Sequence, residues 1–238
     1  MKPLVNKDHY LSKIKKTKVL QVVGKVIQVV GLVIEAQVQG VAVGELCKMM
    51  ITKDNYILAE VVGFKDERVL LMPLDTVEGI KPGALIYATG SPIKVKVGPK
   101  LLGRVLNGIG EPMDNKGELE YEDQYPVEQN PPDPVKRPRI TKVFETGVKA
   151  IDGLLTLGMG QRIGIFAGSG VGKSTLMGML ARNCIADINV ISLIGERGRE
   201  VRDFIEESLG EEGLKKSVVI CATSDQPPVI RLKGALVG

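Results

Sequence analysis

Ile163-Gly-Ile-Phe-Ala-Gly-Ser-Gly-Val-Gly-Lys-Ser174 is the stretch that decides the fold. Ile163 to Phe166 is an apolar run with the character of a strand, and the residues after Ser174 favour a helix. A polyphosphate is bound when backbone N–H groups converge on it. Glycines at 168, 170 and 172 remove the Cβ atoms that would block that approach. Lys173 supplies a point charge for the outer phosphates, and Ser174 offers a hydroxyl to Mg²⁺. The helix that opens here turns its positive end toward the anion. The strict pattern begins with glycine where this chain has Ala167, a mild departure at the strand end. The candidate nucleotide-binding residues are therefore Ala167, Gly168, Ser169, Gly170, Val171, Gly172, Lys173, Ser174 and Thr175, with Ser174 as the metal ligand. A plain glycine-rich turn between strand and helix is the competing reading, and Lys173-Ser174 speaks against it.

The chain has 238 residues, long enough for one large or two modest domains. Hydrophobic residues make up 44% and charged residues 25%, and no apolar run approaches the length of a membrane span. Any membrane contact is thus expected to be peripheral. A net charge of +4 is too small and dispersed to argue for nucleic acid; its densest part is residues 1–18, with six lysines against Asp8. Cys47, Cys184 and Cys221 are widely spaced and form no C-x-x-C, so neither a disulfide framework nor a zinc site is indicated. Reduced cytosol fits this usage. His9 is the only histidine, which disposes of His-dependent triads. The N-terminus lacks the apolar core of a secretory signal.

Between about 19 and 95, short β-like runs recur between glycines, prolines and charged turns: Val19–Val23, Leu32–Ile34, Tyr56–Leu58, Val69–Met72 and Leu85–Tyr87. Such spacing predicts a small β-barrel or sandwich. Residues 96–145 crowd Pro126, Pro131, Pro132, Pro134 and Pro138 into one stretch and predict a connector of extended chain. From 146 the pattern becomes β-α-β. Ile163–Phe166, Val190–Ile194 and Val218–Cys221 are the expected strands, with a helix carrying Leu176, Met179, Leu180 and Cys184 on one face and another from Arg199 to Leu209. Near-continuous apolar strands alternating with helices imply a parallel sheet covered on both faces.

Gly195-Glu-Arg-Gly-Arg-Glu200 directly follows the second of those strands. A right-handed β-α-β unit returns the chain to the same sheet edge, so Glu196 emerges on the carboxyl edge that also carries Lys173. A carboxylate there can orient an attacking water, since phosphoryl transfer needs mainly positioning and electrostatics. Arg197 can act on the phosphate charge or on Glu196. The competing reading is an exposed helix start with solvated charges.

The phosphate loop, together with Leu193-Ile-Gly-Glu-Arg-Gly-Arg-Glu-Val-Arg-Asp-Phe-Ile-Glu206, resembles the ATPases of type III protein export, and most closely the flagellum-specific ones. These are homologous to the catalytic subunit of rotary ATP synthases. Leu101–Met113, Thr146–Leu155, Gly160–Phe166 and Ala222–Pro228 support the resemblance, which runs from about 20 to 233. It implies an α/β fold: an incomplete P-loop, RecA-like parallel-sheet domain preceded by a small N-terminal β-barrel. The corresponding division is a basic segment at 1–18, barrel at 19–95, connector at 96–145 and partial nucleotide-binding domain at 146–238. The resemblance also implies ATP and Mg²⁺ as cofactors, with Lys173 as phosphate-binding lysine, Ser174 as Mg²⁺ ligand, Glu196 as catalytic carboxylate and Arg197 as phosphate-site arginine.

By the same resemblance the subunit energises export of flagellar proteins as a homohexamer with ATP between subunits. It would be cytoplasmic and peripheral at the inner face of the cytoplasmic membrane. Its partners would be an export-apparatus regulator, the export gate and substrate chaperones, with no nucleic acid. The sequence stops at Gly238, and Gly234-Ala-Leu-Val-Gly238 fits the expected helix poorly. A C-terminally truncated chain is therefore expected, short of the Mg²⁺-associated aspartate, the arginine finger, the adenine-contacting aromatic and the helical domain of the family. Alternatives are an injectisome-type secretion ATPase, a rotary ATP synthase subunit, or a non-catalytic nucleotide-binding fragment. Gly198 stands where the rotary enzymes would carry threonine. A nucleic-acid motor is disfavoured because residues 19–95 hold only Tyr56, Phe64 and Tyr87 as stacking aromatics.

Overall fold

A computed structural model describes residues 22–168 and 170–238. The basic segment and Val19–Gln21 lie outside the described residues, as does Ser169. The chain forms two compact units, one running to Pro92 and the other starting at Ile93.

The first unit is a closed six-stranded barrel. Its strands are β1 (Val23–Val30), β2 (Val33–Gln37), β3 (Glu45–Met50), β4 (Tyr56–Lys65), β5 (Arg68–Pro73) and β6 (Leu85–Pro92), in the order β1-β2-β5-β4-β3-β6. The residue pattern explains it. Arg68-Val-Leu-Leu-Met-Pro73 alternates between exposed or half-buried and buried positions, placing Val69 and Leu71 inside. Ile34, Met49, Leu71 and Ile86 are wholly buried and fill the lumen with Cys47, Val61 and Ala59. Tight hairpins fix the register: Val30 pairs with Val33 around Gly31, whose φ of 61° favours glycine, and Lys65 pairs with Arg68. The Arg68 guanidinium, first, and then the Gln28 amide hold the Glu35 carboxyl below its usual range. Glu45–Met50 is a strand that the sequence reading passed over, because its half-polar Glu-Leu-Cys-Lys lacks a clean apolar run.

The second unit is built on a three-stranded parallel sheet. Its strands are β8 (Val105–Asn107), β10 (Asn189–Ile194) and β11 (Ser217–Ala222), in the order β10-β11-β8. A separate antiparallel pair joins β7 (Lys94–Val97) to β9 (Asp123–Pro126). Residues 96–145 thus carry more than extended chain: they contribute a strand to the main sheet. Helices α1 (Lys149–Leu154), α2 (Lys173–Asn183), α3 (Gly198–Asp203), α4 (Gly210–Lys215) and α5 (Pro228–Val237) follow, with one π-helical turn at Phe204–Leu209 between α3 and α4. The expected single helix over 199–209 is therefore α3 running into the π turn.

Ile191, Leu193, Val219 and Cys221 pack one sheet face against Ala181, Val201, Phe204 and Leu209. Helix α2 approaches closely through Gly178, where an added Cβ would stand 2.3 Å from the Ser208 carbonyl oxygen. Its half-buried stripe of Leu176, Met179, Leu180 and Cys184 flanks that contact. Helix α5 covers part of the other face. Gly234 sits inside it, buried, and a Cβ there would meet Ile194 Cδ1 at 2.9 Å and Ala222 Cβ at 3.1 Å. The helix therefore continues through the residues that had suggested its failure. Glycine is used there for close approach, whose value outweighs its poor helix propensity.

The largest departure from expectation is Ile163–Phe166, which forms no strand. A strand persists only when its N–H and C=O groups find a ladder partner, and among the described residues none pairs with this segment. Its side chains are correspondingly open, with Ile165 40% and Phe166 96% exposed.

Candidate nucleotide site

The phosphate loop keeps its predicted form at its helical end. Gly170 and Gly172 adopt φ of 73° and 94°, left-handed values that a residue with a Cβ resists. Gly172 is the N-cap of α2, and Lys173 is the first helical residue. No atom lies within 4 Å of where a Cβ would stand at Gly168, Gly170 or Gly172, so one side of the loop is open. Ala167, Gly168, Val171, Lys173, Ser174 and Thr175 are all exposed. The backbone N–H groups of Gly170 to Thr175 have no acceptor among the described residues; Leu176 is the first to close a helical bond, onto Gly172 at 2.9 Å. A row of unpaired N–H groups at the positive end of an eleven-residue helix is the donor set that a phosphate chain satisfies. The exposed Ser174 hydroxyl on the first turn is of the hard-oxygen type that Mg²⁺ takes.

Glu196 lies two residues past the end of β10, beyond Gly195, whose φ of 75° turns the chain. Two hydrogen bonds hold this turn to the neighbouring strand end. The Gly195 N–H donates to the Ala222 carbonyl at 2.7 Å, and the Ser224 N–H donates to the Glu196 carbonyl at 3.0 Å. The backbone of Glu196 is thus an extension of the parallel ladder on the carboxyl edge of the sheet, while its side chain stays exposed. Arg197 is the N-cap residue of α3, and its guanidinium reaches Glu200 at 3.4 Å. Both groups are open to water, so that pair contributes little to stability.

The structure unites Glu196 with the turn Thr223–Gln226, a pairing that the sequence reading did not draw. It forms no hydrogen bond or ion pair between Lys173 and either Glu196 or Arg197 among the described residues. The two elements are linked through the backbone: α2 packs on the π turn that continues α3. In the 223–226 turn the Thr223 hydroxyl, first, and the residue's own N–H hold the Asp225 carboxyl below its ordinary range. The signal was present as a polar run, Thr223-Ser-Asp-Gln226, between an apolar strand and Pro227-Pro228. Such a run at the end of a parallel strand lands on the edge where ligands bind.

With this geometry in hand, the matches to known proteins are specific. The nucleotide-binding domain of the ATP synthase alpha/beta family matches residues 147–238, and the beta-barrel domain of the same family matches residues 26–90. The chain belongs to the ATP synthase alpha/beta family. Among curated relatives, the flagellum-specific ATP synthase of Bacillus subtilis (strain 168) is 52% identical over 214 residues, covering 89% of this chain and 49% of that one. The type 3 secretion system ATPase of Xanthomonas euvesicatoria is 50% identical over 217 residues, covering 90% and 49%. The assembled ATPase EscN from the enteropathogenic E. coli type III secretion system superposes with a TM-score of 0.80 at 43% identity, covering 90% of this chain and 51% of that one. EscN in complex with its central stalk EscO gives 0.83 at the same identity.

This alpha/beta family member spans about half the length of the curated relatives it matches. The matched beta-barrel domain covers all but the outer ends of the Val23–Pro92 barrel, and the phosphate loop falls inside the matched nucleotide-binding domain. Among the described residues no helix is long and apolar enough to cross a membrane.

Proposed function

We propose that this chain is the nucleotide-binding part of an ATPase that energises type III export of flagellar proteins. The observation that carries the reading is the open row of N–H groups at the head of α2, with Glu196 bonded onto the carboxyl edge of the adjoining sheet. Lys173 binds the outer phosphate oxygens of ATP, and the N–H groups of Gly170 to Thr175 hold the chain of phosphates in line. Glu196 accepts a hydrogen bond from the attacking water and orients it toward the terminal phosphorus. Arg197 leaves its weak contact with Glu200 to bear on the developing phosphate charge. Mg²⁺, held through Ser174, supplies charge neutralisation on the phosphates when bound.

The relatives support the finer reading. Flagellum-specific and type 3 secretion proteins align over nine-tenths of this chain, and EscN is an assembled ATPase seen with a stalk partner. By that likeness the protein works as a homohexamer with ATP between subunits, peripheral at the inner membrane face, with a regulator, export gate and chaperones as partners. Two variants test the site. Lys173→Ala is expected to weaken ATP about 10- to 100-fold, the worth of a charge-assisted contact, and to leave adenosine unchanged. Glu196→Gln in the full chain is expected to bind ATP normally and lose turnover. Equal losses for ATP and adenosine in calorimetry, or near-normal phosphate release from Glu196→Gln, would overturn the reading.

A further inference from the structure

We propose that Asn189 and Lys216 are positioning residues for the phosphate loop, acting through α2, whose carboxyl end they clamp to the amino edge of the parallel sheet. The last carbonyls of a helix have no partner within it. Here the Ile185 N–H, next in line for the Ala181 carbonyl, turns away to the Glu145 carbonyl at 3.1 Å. Two side chains from the sheet take up what the helix leaves open. The Asn189 amide Nδ2 donates to the Ala181 carbonyl at 2.8 Å, and its Oδ1 accepts from the Cys184 thiol at 3.5 Å. The Lys216 ammonium donates to the Arg182 carbonyl at 3.1 Å and reaches the Cys184 carbonyl at 3.5 Å. The two residues are themselves joined where β10 and β11 begin, the Asn189 N–H donating to the Lys216 carbonyl at 2.9 Å.

The head of α2 has no comparable support. Among the described residues the side chains of Lys173, Ser174 and Thr175 make no hydrogen bond or ion pair, and the segment before the loop has no ladder partner. Midway, Gly178 sets how closely the helix approaches Ser208 and leaves its tilt to the far end. From Arg182 back to Lys173 the helix runs about 14 Å, so a tilt of about 5° at the clamp displaces the loop by roughly 1 Å. A phosphate chain held by N–H donors is sensitive on that scale, since a hydrogen bond stretched past about 3.5 Å is lost. The same clamp registers the two halves of the site. Strand β10 starts at Asn189 and delivers Glu196 just beyond its other end, while α2 returns from the clamp to Lys173. Helix and strand are two arms pinned at one point, and the angle between them sets how far the phosphate loop stands from the Glu196 turn.

This inference rests on the phosphate loop holding ATP, and the experiment separates the two. Asn189→Asp keeps the shape and turns an oxygen toward the Ala181 carbonyl; Lys216→Met removes the donor, and Lys216→Arg keeps one. Each is made in the full chain, alone and together with Lys173→Ala, and the Kd for ATP and for adenosine is measured well below the melting temperature. Under those conditions a cap that only stabilises the helix leaves both constants at their wild-type values. Asn189→Asp is expected to weaken ATP about tenfold and Lys216→Met about threefold, with adenosine changed less than about twofold and Lys216→Arg within about twofold of wild type. Beside Lys173→Ala the loss from Asn189→Asp is expected to shrink below about threefold, because a contact that it aligns is already gone. If Asn189→Asp does not fold, Lys216→Met and its arginine rescue decide the outcome. Normal ATP binding by Lys173→Ala alone overturns the assignment of the phosphate loop. Unchanged ATP affinity in the clamp variants, an equal loss for adenosine, no rescue by Lys216→Arg, or an undiminished loss beside Lys173→Ala overturns the positioning role.

Discussion

The barrel and the nucleotide-binding unit are both sheet structures, yet they meet the demands of the backbone in opposite ways. In the barrel every strand has two neighbours, and the ladder closes on itself. Alternate residues then fill a lumen in which Ile34, Met49, Leu71 and Ile86 are wholly buried. The three-stranded parallel sheet is open along β10 among the described residues, and its β8 edge is covered only by a short return at Glu111–Met113, bridged at Leu106–Pro112. Its unit leaves Leu154 85% and Phe166 96% exposed. The barrel ladder joins three hairpins (β1–β2, β3–β4 and β4–β5) through three longer-range antiparallel pairings within one unit, whereas the parallel sheet pairs β8 with β11 across more than a hundred residues. What the second unit lacks in apolar closure it offsets with polar side-chain ties. Arg104 grips Asp114 at 2.7 Å, Asp152 accepts from Thr146 and Gly147, and the buried Lys233 reaches Glu128 at 2.6 Å.

Breaking the largest of those ties gives the widest contrast. Burial disfavours the Asp114 charge, but the Arg104 guanidinium and the N–H groups of Val105 and Lys116 outweigh it and hold the carboxyl well below the usual carboxylate range. Asp114→Asn leaves a nearly buried guanidinium without its counter-charge, and is expected to cost the second unit about 3 kcal/mol. Hydrogen exchange should speed up in β8 and β11 and stay unchanged in β1–β6. The sign with pH follows from the lowered pKa. The stabilisation is complete above the unfolded-state pKa of about 4 and is lost as pH falls below it, because the unfolded chain takes up the proton first. In Asp114→Asn that part of the acid sensitivity should vanish.

The complementary probe is Leu71→Ala at the centre of the barrel, where no side-chain atom touches water. The expected loss is about 2–5 kcal/mol, confined to the barrel, because a closed lumen cannot collapse into the cavity. ATP affinity should be unaffected. A fall in affinity parallel to the loss of stability would show that the phosphate loop depends on the barrel core.

Legibility in the sequence followed the same division. Most barrel strands could be placed from their flanking turns, because the hairpins among them are local, as at Val30–Gly31–Leu32–Val33. Strand β3, with its charged Glu45 and Lys48, escaped, and β1 was met only at Val23, because the run read at Val19–Val23 falls mostly outside the described residues while the strand is Val23–Val30. In the second unit β10 and β11 were legible as dense apolar runs, but β8 was not. Val105-Leu-Asn107 is three residues long and pairs with a strand more than a hundred residues later, so no local pattern announces it. The phosphate loop could be read directly because its chemistry is local: glycines, a lysine and a helix start. The tie between Glu196 and Ser224 is a backbone contact between two strand ends, so the polar run Thr223–Gln226 marks the edge on which it lies but not the partner it takes. Gly234 misled for the converse reason, since a glycine that breaks an isolated helix is the residue that lets this one seat on Ala222.

The smallest expected effect is the most informative about the missing strand. Ile163–Phe166 has the composition of a buried parallel strand, and in a strand covered on both faces Ile165→Ala would cost about 2–5 kcal/mol. Here the segment has no ladder partner among the described residues, and Ile165 is 40% exposed. The same substitution is therefore expected to change the stability of residues 1–238 by less than about 0.5 kcal/mol. Urea unfolding of Ile165→Ala beside Leu71→Ala makes the comparison within one molecule, and amide exchange at Gly164 to Phe166 should be as fast as in an unfolded peptide. A loss near that of Leu71→Ala, with protected amides, would mean that these residues pair and bury in solution. In that case the contrast between a self-sufficient barrel and a dependent parallel sheet would fail at the strand that carries the phosphate loop.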